Sequence, residues 1–343
     1  MADTKKEHYV PRCYLENFEG KDGRIQVFDK VLLQTRNQLK GEIAAENYFY
    51  DIDFEKLIEE KVPLEKQPQM KEDIEKIVGV TEWDEVKQKL KPKYLEKDIL
   101  CPQESMYNAV LKEIIKKSYG GNNWVIENCK PFSENERILM AWFITLQYVR
   151  TRARRDEMGE VIAKTCLALA KKKALTTEEI EMLNIANIKA DKDFVKLQHN
   201  MVVLNHEKQE KMAETLDNHI WVMYVNKTNT PFYTSDNPVV AIPHKNDEYI
   251  SYTGIASEGV EIAFPISPYL LLAMYERTWH SGKVEEGKFV PIYNPERIDY
   301  YNGMQVIHSS RCVYSIMDNF EIARTVCNEH PQIRQSENRI EVT

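Results

Sequence analysis

Apolar and polar positions recur with two different periods along this chain, and the change falls near His219. Before it the pattern is helical. Ile138, Leu139, Ala141, Trp142, Ile144, Leu146 and Val149 form one broad stripe at three- and four-residue spacing, as on a helix packed against a core. Ser133-x-x-Glu136 is a capping box with Pro131 just upstream, so the best helix of the chain is predicted within 133–173. Thr176-x-x-Glu179 opens another, and a third is predicted from about Asp191 to Leu216. Lys66 to Leu90 also has helical spacing, interrupted near Gly79.

After His219 the runs become strand-like. Ile220–Val225, Phe232–Thr234, Val239–Ile242, Glu261–Phe264 and Tyr269–Tyr275 are separated by turn residues such as Asn237-Pro238 and Thr253-Gly254. Asn294-Pro295-Glu296 reads as an N-cap with proline in the first turn of a helix reaching about Ser309. Arg311 to Met317 is a last strand, and Asp318 is placed to cap a closing helix. Near the start, Arg24–Asp29 alternates as a half-buried strand after the turn Lys21-Asp22-Gly23, and Gly120-Gly121-Asn122-Asn123 predicts another turn. Helices first and strands later predict an α+β fold, a helical N-terminal and central region packed on a mainly antiparallel C-terminal sheet. The expected organisation is one domain over 1–343. Within it, 53–128 is a Lys/Glu-rich helical insert with a solvated outer face, and 219–330 is the strand-rich part.

Composition narrows the class. The chain has 343 residues, 43% hydrophobic and 29% charged, as in soluble globular proteins. A formal net charge of -8 argues against a broad nucleic-acid-coating surface, though not against a local basic groove. The longest apolar run, Tyr269–Tyr275, falls far short of the roughly 20 residues that span a bilayer. Met1–Glu7 has no apolar leader segment. A cytoplasmic protein without a membrane segment is the expectation. The cysteines at 13, 101, 129, 166, 312 and 327 show no zinc-like spacing, and most are expected to be reduced and packed as small apolar residues.

Three polar clusters could carry chemistry. In His8-Tyr9-Val10-Pro11-Arg12, His8 is a candidate base or metal ligand and Arg12 a candidate anion holder. The plainer account is that both satisfy buried polar groups while Tyr9, Val10 and Tyr14 pack. Gln147-Tyr148-Val149-Arg150-Thr151-Arg152-Ala153-Arg154-Arg155 has four arginines in six residues, and helical spacing would put Gln147, Arg150 and Arg154 near one face. Cations favoured near a helix C-terminus are the alternative. Thr234-Ser235-Asp236-Asn237-Pro238 bunches short polar side chains where a strand meets a turn, either as a site or as an Asx turn. No dinucleotide fingerprint, P-loop or zinc-hydrolase motif is present.

Read together, these blocks resemble the DUF4238 family of largely microbial proteins, whose activity is not established. The resemblance rests on His8-Tyr9-Val10-Pro11 with Tyr14, Leu15 and Phe18, on Ile43–Tyr50, on Gln147–Thr151, on Thr234–Val239 and Phe264–Pro268, and on Asn302 with Gln305. It implies no mechanism. From the residues we expect a hydrolase, a metal-dependent nuclease or nucleotide-directed enzyme, in the toxin or phage-defence setting that a microbial family suggests. His8, Glu46 and Asp236 would be catalytic, with a divalent metal as candidate cofactor. Arg12, Gln147, Arg150, Ser235, Asn237 and Asn302 would hold substrate, a nucleic acid or nucleotide. The alternative is a non-catalytic anion-binding sensor or protein-interaction module. A purely structural role, tying the N-terminus to the sheet, is the third reading.

Overall fold

The apolar runs after His219 build a five-stranded sheet of order β10–β5–β9–β8–β7. Its strands are β5 (Ile220–Asn226), β7 (Val240–Pro243), β8 (Val260–Ser267), β9 (Leu270–Tyr275) and β10 (Lys288–Ile292). All pairs are antiparallel except β10 with β5. In this computed structural model, residues 5–119, 129–174, 176–185, 188–247 and 252–335 are described. Every residue of β5, β8 and β9 is buried, which is why these strands read as long apolar runs and not as alternation. The period of two survives as a division between two cores. Trp221, Met223, Phe264, Leu272 and Met274 enter the larger one. Val222, Tyr224, Leu271, Ala273 and Tyr275 face the other way, onto Ile298 and Tyr301 of the helix Pro295–His308.

The larger core is covered by the helix Glu134–Val149, whose Met140, Phe143 and Ile144 are fully buried. Its capping box forms as expected: Glu136 N–H donates to Ser133 Oγ (3.4 Å) and Ser133 N–H to Glu136 Oε2 (2.7 Å). The second box, Thr176 with Glu179, also closes. The helix that begins at Ser133 ends at the arginine-rich block, as its position suggests, and the helix expected over 191–216 is split, each at a polar cap. Thr151 has extended backbone and accepts from Arg154 N–H, so one helix ends at Val149 and another runs Arg152–Lys173. Asn205 does the same to the 191–216 stretch, giving Lys192–Leu204 and His206–Asp217. Gly79, at φ +70°, ends the helix Gln67–Val78 as its sequence position suggests. Between Phe54 and Tyr119 the helices turn lysine and glutamate outward, while Ile58, Ile74, Leu100 and Leu111 join the larger core.

A second sheet, β3–β2–β11–β6, is antiparallel throughout and brings the two ends of the chain together. It contains β2 (Ile25–Asp29), β3 (Gln34–Gln38), β6 (Thr234–Ser235) and β11 (Cys312–Ser315). A short ribbon pairs β1 (Lys6–His8) with β4 (Ala45–Asn47), setting Glu7 opposite Glu46. The fold is α+β. Some expectations change. The closing helix Glu321–Glu329 starts after Phe320, with Asn319 and not Asp318 accepting from Glu321 N–H. Cys101, Cys129 and Cys166 are exposed, so only some of the six free cysteines pack as apolar residues. The Gly120–Asn123 turn lies outside the described residues. Among those residues no helix is long and apolar enough to cross a membrane.

Candidate functional site

The segment 42–46, β3 and the start of β11 enclose a cleft of about 210 Å³. Three guanidiniums line it: Arg36 from β3, Arg152 from the first turn of the helix Arg152–Lys173, and Arg311 just before β11. A buried carboxylate behind the wall positions two of them. Asp29 Oδ2 accepts from Arg311 Nε at 2.8 Å and stands 3.7 Å from Arg36 Nη1, while its Oδ1 accepts from Val31 and Leu32 N–H. Arg152 donates to Glu46 Oε1 across the cleft and pairs with Asp156 at 3.4 Å. Tyr9 and Tyr314 complete the floor, and burial raises both phenols well above their ordinary pKa, so they stay protonated. Cys312 also faces the cleft, but burial pushes its thiol up to about 12, which makes it a poor nucleophile.

Of the residues singled out in the sequence, Glu46 and Asp236 line this cleft. Asp236 is nevertheless held by the fold: Oδ1 accepts from Ser310 N–H (2.6 Å), and Oδ2 from the N–H groups of Arg311 (2.7 Å) and Cys312 (2.8 Å). Burial raises its carboxyl pKa against those three bonds. His8, Arg12, Gln147, Arg150, Ser235, Asn237 and Asn302 lie outside the cleft lining.

The arginine-rich block does not present one helical face, because the helix ends between Gln147 and Arg154. Arg150, 1% exposed, points instead at the N-terminal ribbon. It donates to His8 O (2.6 Å), to Glu104 Oε1 (2.8 Å) and to Tyr50 Oη (3.4 Å). Gln147 Nε2 donates to Tyr9 O (3.2 Å). Arg155 bonds Phe49 O and His199 Nδ1, leaving His199 Nε2 to face Val149 O at 2.9 Å. His8 is buried beside this web. Desolvation, with Arg12 and Arg150 nearby, pushes its imidazole down to about 4, so it is neutral near pH 7, and Nε2 has no hydrogen-bond partner among the described residues. Arg12 is exposed on the short helix Arg12–Leu15.

The third block is a set of ties between β6 and the helix Pro295–His308. Ser235 Oγ donates to Gln305 Oε1 (2.8 Å), and Asn237 Nδ2 to His308 O (2.9 Å). Asn302 accepts from Tyr233 N–H (2.7 Å) and donates to Pro231 O (2.9 Å). Thr151 Oγ1 joins this set to the central helices through Asn237 Oδ1 (3.1 Å). Among the described residues, no group of three or more His, Cys, Asp and Glu side chains is arranged to hold a metal ion.

The sequence reading overlooked Arg36, Arg311, Cys312 and Tyr314. The one local signal was β3, Gln34-Thr35-Arg36-Asn37-Gln38, a strand with no apolar residue, hence one that does not serve a core. It also overlooked a buried chain on the opposite face of the large sheet. Tyr301 Oη donates to Glu261 Oε1 (2.7 Å), and Glu261 Oε2 lies 2.7 Å from Nε2 of the exposed His244. The neighbouring His280 bonds Gly259 O and is shifted down by burial. The Glu261 hydrogen bond raises the pKa of His244. A raised histidine pKa contributes stability in full below the unfolded value of about 6.5, and the contribution is lost as pH rises through the folded value. The stability that His244 contributes is therefore expected to fall as pH increases from about 6.5 toward 8, so the melting-temperature advantage of the wild type over His244→Gln should shrink across that window. Equal slopes in the two proteins would refute the assignment.

A family model described as "Protein of unknown function (DUF4238)" matches residues 6–318 of the chain. No curated protein and no solved structure matches it.

Proposed function

The chain belongs to the DUF4238 family, and on that footing we propose that it is a recognition module whose cleft binds a small ligand through an oxyanion group, without a metal. The observation that carries this reading is the convergence of Arg36, Arg152 and Arg311 from three distant segments on one cleft. Formal charge is not the argument, since the lining sets three guanidiniums against Glu42, Glu46 and Asp236. Donor supply is. A guanidinium carries five N–H donors and no acceptor, and two protonated phenols add two more. Asp236 has both oxygens bonded to backbone N–H groups, Glu46 is engaged by Arg152 and Glu42 Oε2 accepts from Leu39 N–H, while among the guanidinium donors Arg311 Nε is taken by Asp29 and Arg152 Nε by Asp156, leaving the larger share open. What the cleft offers a ligand is therefore mostly donors, which suits phosphate or carboxylate oxygens. Its volume lies below the roughly 300–1,000 Å³ of pockets that enclose drug-sized ligands, so a small molecule or the terminal group of a larger one fits best.

The metal-dependent hydrolase or nuclease is the second reading, favoured by one observation: Glu46 and Asp236 line the same cleft. One calorimetric experiment separates the two. Inorganic phosphate is titrated into the protein with and without EDTA, and into Arg152→Ala. Saturable binding insensitive to EDTA and weakened about tenfold by the substitution, as for a lost charged hydrogen bond at a half-exposed site, is the expected result. Binding that requires added Mg²⁺ or Mn²⁺, or that Arg152→Ala leaves intact, would overturn the proposal.

A further inference from the structure

We propose that Glu46 is a built-in stand-in for the ligand, so that only an oxyanion able to displace its carboxylate from Arg152 occupies the cleft. This rests on the reading of the cleft given above. Two independent observations carry it. The first is the contact itself: Arg152 Nη1 donates to Glu46 Oε1, with both side chains at the cleft wall and 44% and 38% exposed. A carboxylate there occupies the kind of position that a ligand carboxylate or phosphate would take. Exposed ion pairs of this kind are weak, so the contact can be exchanged for a better one.

The second is the backbone that presents it. Ala44 and Tyr48, two residues before and after Glu46, both adopt left-handed conformations at φ +49° and +54°. Neither is glycine, and such residues carry strain that persists where the surroundings enforce it, often beside binding sites. Here Tyr9 N–H donates to Ala44 O (3.0 Å) and Tyr48 N–H to Lys5 O (2.9 Å), while β1 pairs with only three residues between them. The ribbon pins the segment from one side and leaves the Glu46 side chain at the cleft. Arg152 keeps its second partner, Asp156, at 3.4 Å, so its guanidinium stays aimed when Glu46 moves away.

The consequence is selectivity by charge. A competitor must offer more than one carboxylate's attraction, so phosphate is preferred to acetate. Glu46→Gln keeps the side chain's length and removes the charge. It is expected to tighten phosphate binding about two- to fivefold, the factor equivalent to one exposed ion pair, and to narrow the gap between phosphate and acetate. The experiment titrates both ions into the wild-type protein and Glu46→Gln, with the melting temperature of each recorded to show that both are folded. Unchanged phosphate affinity with a folded variant overturns the role of Glu46 while leaving the cleft as the binding site. Phosphate binding to neither protein overturns the reading of the cleft itself.

Discussion

Arg150→Ala should lower the stability of the protein by about 3–5 kcal/mol, the usual cost of removing one member of a buried charged set. The side chain is 1% exposed and serves three partners: His8 O, Glu104 Oε1 and Tyr50 Oη. Without it a backbone carbonyl of β1 and the carboxylate of the helix Cys101–Tyr119 lose their donor, and β1 loses its tie to the central helices. Arg150→Lys should recover only part of the loss, because one ammonium cannot replace a planar fork bonding in several directions. Urea unfolding of the three proteins measures this. A folded Arg150→Ala of near wild-type stability that fails to bind phosphate would instead make Arg150 a ligand-binding residue, as its sequence context first suggests.

Asp236→Ala is the second large effect. Its two oxygens satisfy the N–H groups of Ser310, Arg311 and Cys312, and those residues set the last wall of the cleft. Truncation leaves up to three donors unmet at a site only 2% exposed, and at about 1–3 kcal/mol for each unsatisfied buried donor the loss should reach about 3 kcal/mol or more. Asp236→Asn should recover only part of the loss, since its one oxygen still accepts from Arg311 and Cys312 N–H while its amide nitrogen would face the Ser310 N–H. Phosphate affinity should fall with stability, because Arg311 depends on this turn for its place above Asp29. If Asp236→Asn melts like the wild type yet abolishes a measured hydrolytic activity, the carboxylate acts in chemistry and not as the anchor of the turn.

These two residues show how far the sequence reaches. Both were legible as important from their blocks, and both are buried. Their roles were not legible, because a polar side chain in an apolar setting can equally bind a ligand or satisfy backbone groups. Only its neighbours decide. Arg150 meets His8 O because β1 crosses the end of the helix Glu134–Val149, and Asp236 meets Ser310–Cys312 because β6 and β11 are adjacent. The same limit applies to Ser235, Asn237 and Asn302, which the fold uses to join β6 to the helix Pro295–His308. Glu46 differs from these: it lines the cleft and is exposed enough to face a ligand, whereas Arg12 is exposed but lies outside the cleft.

By itself the sequence determined the α+β class, the capping boxes at Ser133 and Thr176, the helix end at Gly79 and the change of period at His219. Each depends on residues within a few positions of one another, where backbone geometry and hydrogen bonding act locally. The tertiary structure alone decided the cleft. Arg36, Arg152 and Arg311 lie in three distant segments, and Asp29, which holds two of them, reads locally as the polar end of a strand. No local period records such a meeting. It follows from the pairing of β2 with both β3 and β11, which places the two ends of the chain side by side, and from the cap at Thr151, which turns Arg152 away from Arg150 and toward Glu46.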